Sequence, residues 1–107
     1  MKALTPGREK MKTIKEMKGI LAMHWDELRD RFKVKELGVF GSYVRGEEEE
    51  ASDIDILVEF EEPVSLLGLV SLENHLSDLF GVKVDLVPRG EIRPELKEKI
   101  IKEVVYL

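Results

Sequence analysis

The amino-acid sequence predicts an α/β domain in which a small mixed sheet is flanked by helices. Three observations lead to it. Apolar residues recur at three- and four-residue spacing over Met11–Phe32 and Leu66–Leu79, three short apolar or alternating runs lie at 34–40, 52–60 and 82–87, and the two kinds of segment alternate along the chain. A length of 107 residues with 43% hydrophobic residues suits a single core. Residues 1–33 are expected to form an N-terminal helical segment, and residues 34–107 the core of the domain.

Each element has a local reason. Met11, Ile14, Met17, Leu21, Trp25, Leu28 and Phe32 make one stripe of a long amphipathic helix, which Gly19 weakens by about 1 kcal/mol relative to Ala. Val34, Leu37, Val39 and Phe40 read as a buried strand ending in a tight turn at Gly41, after which Ser42 can cap a short helix, Tyr43–Gly46. Glu47–Glu50 read as a solvated loop. From Ser52 polar and apolar residues alternate towards Phe60, which puts Asp53 and Asp55 on one face of a second strand. Pro63 breaks that strand, Ser65 N-caps a helix along Leu66, Leu69, Leu72, Leu76 and Leu79, and Gly81 stops it. Val82–Val87 is the third strand, Pro88 and Gly90 turn the chain, and Pro94 opens a last helix lined by Leu96, Ile100 and Val104.

Composition excludes several function classes. No apolar run approaches the ~20 residues of a membrane-spanning helix and the N-terminus carries no secretory apolar stretch, so the cytoplasm is the expected compartment. Without cysteine there is no disulfide, thiolate zinc site or cysteine nucleophile, and two histidines, His24 and His75, are too few for a His-rich metal site. The net charge of −5 is unevenly spread. Residues 1–36 hold ten basic and six acidic side chains, whereas residues 37–62 hold one, Arg45, against nine acidic. That acidic stretch reads either as a solvated loop or as a cation site, and direct nucleic-acid binding is disfavoured.

Asp53, Asp55 and Asp85 fall on strands, where an ionised carboxylate needs compensation. A divalent cation supplies it: magnesium takes one or two carboxylates and completes its shell with water and phosphate oxygens. The plainer alternative places Asp53 and Asp55 on the solvent face of an edge strand. Upstream, Gly41 lets the backbone approach a phosphate, and the Ser42 hydroxyl and the free N–H groups of a helix start can donate to phosphate oxygens. An ordinary turn would need the same residues. The information lies in the spacing: Gly41-Ser42, ten residues, then Asp53-x-Asp55.

That pattern resembles the signature of the minimal nucleotidyltransferases, the smallest members of the polymerase-beta-like superfamily. Val84-Asp85-Leu86-Val87 resembles the family's third-carboxylate strand, and Ile92-Arg93-Pro94 to Tyr106-Leu107 its C-terminal helix, so the likeness covers residues 34–107; at Val44 the family usually has Ala. The resemblance implies a magnesium-dependent transfer of a nucleotidyl group, with ATP as substrate and two Mg2+ ions. Asp53 and Asp55 would hold both metals, and Asp85 would complete the one nearer the acceptor hydroxyl and help remove its proton. Gly41 and Ser42 would hold the β- and γ-phosphates. Arg45 either pairs bidentately with a phosphate or forms an ion pair with a neighbouring Glu. The implied acceptor is a tyrosine of a HEPN-type ribonuclease toxin, which the chain would silence by adenylylation as its antitoxin. Two alternatives stay open: an antitoxin acting by contact alone, and a regulatory module that binds nucleotide without turnover. His24, His75 and Trp25 read as surface or packing residues, and Arg8, Lys10, Lys12, Lys15 and Lys18 as a solvated helix face able to dock an acidic partner.

Overall fold

In the computed structural model, which describes residues 13–41, 44 and 53–107, the first helix, α1, spans Ile14–Phe32. Thr13 and Glu16 start it with a capping box: each side chain accepts from the other's backbone N–H at 3.0 Å. Met11, placed on the helix stripe by its spacing, lies outside the described residues. Lys33 ends α1 in the left-handed region (φ 61°), donating its N–H to Leu28 and Arg29, and turns the chain straight into β1, Val34–Phe40.

The remaining elements are β2 (Ile54–Phe60), α2 (Leu66–Phe80), β3 (Val84–Pro88), a single 3-10 turn (Arg89–Glu91), α3 (Pro94–Glu103) and β4 (Val105–Tyr106). Ser65 caps α2 through the Gly68 N–H, and Gly81 closes it at φ 70°. The sheet order is β3-β2-β1-β4, with β2 and β3 parallel and the other pairs antiparallel. A parallel neighbour requires a crossover, which α2 provides.

One face of this mixed sheet meets α1 and α2. Met17, Leu21, Leu28 and Phe32 from α1, Leu72, Leu76 and Phe80 from α2, and Ile54, Ile56, Val58, Val84 and Leu86 from the sheet form one buried cluster. In β1 the inward residues are Val34, Leu37 and Val39, and the odd step from 34 to 37 is absorbed by a register shift between Val34 and Glu36. The opposite face therefore carries Asp55 and Asp85, together with Gly38 and Phe40.

The C-terminus departs from the sequence reading. The last helix stops at Glu103, and Val105 and Tyr106 form a fourth strand against Val39 and Gly38, with the Leu107 N–H donating to the Leu37 carbonyl at 2.9 Å. Two residues are too few to show an alternating pattern. They pair because β1 would otherwise present unpaired backbone groups, and because Gly38 leaves room: a Cβ there would lie 2.5 Å from Val104 Cγ2 and 3.2 Å from the Tyr106 ring.

Candidate active site

Three strand ends build the site. Asp53 immediately precedes β2, Asp55 is its second residue, and Asp85 is the second residue of β3. Parallel pairing sets Asp55 directly beside Asp85, while the antiparallel partner of Asp55 on the other side is Phe40, the last residue of β1. All three carboxylates thus stand at one end of the sheet, at the mouth of the turn that leaves β1. Like-charged neighbours on adjacent strands repel each other, and a cation held between them would relieve that repulsion.

Gly41 makes the turn. Its φ of +80° lies in the region that glycine enters freely, and a Cβ at this position would collide with Oδ2 of Asp55 and sit 3.2 Å from its carboxyl carbon. The bare α-carbon is therefore the seat of the Asp55 carboxylate. The Val44 N–H closes the turn on the Gly41 carbonyl at 3.1 Å, and Val44 is helical. The Gly41 N–H donates to Oε1 of Glu103, the last residue of α3, at 2.9 Å. Gly41 can thus serve a phosphate through its missing side chain and its turn, since its own N–H is engaged. Ser42 and Arg45, the other two expected phosphate contacts, lie outside the described residues, as does most of the short helix expected over Tyr43–Gly46.

Helix α2 holds Asp85 in place by occupying the outer edge of β3. The Ser77 hydroxyl accepts from the Val84 N–H at 2.9 Å while donating to the Glu73 carbonyl, and Oε2 of Glu73 accepts from the Leu86 N–H at 2.9 Å. The edge strand on either side of Asp85 is thereby pinned to the helix. Asp53 is half-exposed, 3.9 Å from the exposed Lys83 ammonium, a pair of little energetic weight in water.

The three aspartates offer hard carboxylate oxygens, the donors magnesium prefers, and Asp53 and Asp85 are exposed. Among the described residues no group of three or more acidic, cysteine or histidine side chains is placed to hold a metal ion, so Asp53, Asp55 and Asp85 do not stand together as one ligand set. Magnesium does not need three such ligands, because it is held by one or two carboxylates with water and substrate phosphates in its remaining positions. Asp55 and Asp85 supply that number on one face.

Other polar clusters lie apart from this end. The His75 imidazole Nε2 is 3.2 Å from a Glu27 carboxylate oxygen and stacks near Phe32, with ring centroids 5.1 Å apart, bridging α2 to α1 as a packing residue. At the other end of the sheet Arg89 donates to the Tyr106 hydroxyl at 3.0 Å, and that bond, with Glu59 and Glu36 nearby, raises the guanidinium pKa above its ordinary value. An open cleft of about 830 Å³ lined by Phe60, Pro63, Leu69 and Pro88 also lies at that end, a strand length of about 20 Å from Asp53, and holds none of the three aspartates.

The nucleotidyltransferase domain family matches residues 21–107, which takes in every described residue named at the site. The chain belongs to that family. This nucleotidyltransferase is 50% identical over 97 residues to the protein adenylyltransferase MntA of Thermococcus cleftensis, across 91% of this chain and 98% of that protein. A solved minimal nucleotidyltransferase is 35% identical with a TM-score of 0.69, covering 87% of this chain and 90% of the other. The fold is shared too with a complex of a tri-AMPylated HEPN toxin and an MNT antitoxin from Shewanella oneidensis, at a TM-score of 0.61 and 22% identity over 84% of this chain and 70% of that one. The nucleotidyltransferase is thus an enzyme of the minimal class, and its sheet, crossover helix and C-terminal helix are those of that fold.

No motif or spacing in the sequence marks Glu103. The one local sign was an acidic residue at the last position of a helix, where the macrodipole favours a base.

Proposed function

We propose that this nucleotidyltransferase transfers AMP from ATP to a tyrosine hydroxyl of a HEPN-type ribonuclease toxin, with Mg2+, and acts as its antitoxin. The observation that carries the proposal is the seating of Asp55 on the bare α-carbon of Gly41 beside Asp85, which sets acid groups and a phosphate-compatible turn at one sheet end. The close likeness to a protein named as a protein adenylyltransferase supports the adenylyl group and a protein acceptor. The complex of an AMPylated HEPN toxin with its antitoxin supports the class of partner. Leu66 and Leu67, 75% and 81% exposed at the start of α2, suit a surface that a protein covers.

In this scheme Asp53 and Asp55 would hold the metal ions and Asp85 would complete the set. Bound Mg2+ would supply positive charge against the triphosphate and the oxygens that become charged during transfer. Gly41 and Ser42 receive the β- and γ-phosphates, and Arg45 pairs with a phosphate oxygen. The acceptor hydroxyl, held beside Asp85, loses its proton to that carboxylate as its oxygen bonds to the α-phosphorus. The bond from the α-phosphorus to the bridging oxygen breaks, and pyrophosphate leaves. Asp85 is exposed, as a group meeting an incoming acceptor must be.

The test is direct. Purified protein, Mg2+, α-labelled ATP and a HEPN-type protein are incubated together, and the modified residue is mapped. Label on a tyrosine that vanishes with Asp53→Asn supports the proposal. Silencing of the ribonuclease that survives Asp53→Asn without label overturns it in favour of neutralisation by contact.

A further inference from the structure

Glu103 touches the site from 62 residues away in sequence and belongs to none of the roles above. Resting on the nucleotidyl-transfer reading, we infer that Glu103 is a positioning residue: its carboxylate fixes the Gly41 turn in the conformation that receives the triphosphate. Gly41 has two constraints. Its α-carbon abuts the Asp55 carboxylate, and its N–H is held by Oε1 of Glu103 at 2.9 Å in a part-buried contact. A glycine at φ +80° is the residue with most freedom to leave that conformation, so an anchor on its N–H restricts the turn where restriction matters most. An ionised acceptor makes the stronger kind of hydrogen bond.

The placement of Glu103 argues for the same role. A carboxylate at the last residue of a helix faces the negative end of the dipole, and a carboxylate near a triphosphate repels it. Acceptance from the Gly41 N–H gives an acid here a role that offsets both penalties. The tie is rigidly based, because the chain leaves Glu103 to form β4, which hydrogen-bonds to β1 two and three residues before Gly41. The end of α3 is therefore tied to Gly41 both by this bond and through the pairing of β4 with β1, and α3 becomes part of the nucleotide site without touching the substrate.

Glu103→Ala removes the acceptor, and Glu103→Gln keeps a neutral one. Two readouts separate the tie from the chemistry. Amide hydrogen exchange should show Gly41 protected in the wild type, released about tenfold in Glu103→Ala, and largely re-protected in Glu103→Gln. Steady-state transfer should show the KM for ATP raised about tenfold in Glu103→Ala with kcat changed far less, and most of the loss restored in Glu103→Gln. A fall in kcat of equal size in both variants would overturn the proposal, because the charge itself would then take part in chemistry. Unchanged Gly41 exchange and unchanged KM in Glu103→Ala would also overturn it. If the wild type binds no ATP, the transfer reading fails, while the exchange measurement still decides the tie.

Discussion

Replacing Gly41 with alanine perturbs stability and chemistry through two separable effects. The residue sits at φ +80°, where a side chain with a Cβ costs about 1–2 kcal/mol. At roughly 4–8 °C per kcal/mol for a domain near this size, the melting midpoint should fall by about 5–15 °C. The new methyl would also collide with Oδ2 of Asp55, and the carboxylate has to retreat by about 1 Å to reach ordinary contact. A displacement of that size at a reacting centre costs about a hundredfold in rate. Gly41→Asn separates the terms, since Asn tolerates the left-handed region yet carries the same Cβ. Its melting midpoint should recover most of the loss, and its transfer rate should stay about a hundredfold down. Thermal denaturation and labelled-ATP transfer, run on both variants, provide the assay. Wild-type transfer in either variant would refute the placement of Asp55 against the turn.

Three further outcomes follow from the same geometry. Asp85→Asn, at an exposed position, should lower transfer at least about a hundredfold as its proton-accepting capacity is lost, with a melting curve close to wild type. Ser77→Ala leaves the Val84 N–H without its partner at the edge of β3, so urea denaturation should report a loss of about 1–3 kcal/mol, and transfer should fall as Asp85 loses its fixed position. Chelating divalent ions should weaken ATP binding, because the triphosphate would then face the carboxylates directly; titration calorimetry giving equal affinity with and without chelator would count against a metal-filled site.

Much of the fold was legible because its causes are local. The stripe from Ile14 to Phe32, the Ser65 and Gly81 caps of α2 and the start of α3 at Pro94 each follow from side-chain spacing or backbone preference within a few residues. The span Val34–Phe40 is that of the sequence reading, and β2 begins one residue after Asp53 rather than at Ser52. β4 escaped because two residues carry no period, and its existence depends on a vacant edge on β1 formed elsewhere. Glu103 escaped because its meaning lies in a contact across 62 residues.

The sequence by itself singled out the candidate residues: a glycine turn, a pair of aspartates two apart so that both share a strand face, and a third aspartate in another apolar strand. Only the tertiary structure brings them to one end of the sheet. Parallel pairing of β2 with β3 puts Asp85 beside Asp55, α2 pins the edge that carries it, and the end of α3 holds the turn on which Asp55 rests. The division has a physical reason. Periodicity and caps are written in neighbouring residues, whereas strand order and the contacts it creates depend on how distant segments bury their apolar faces in one shared core.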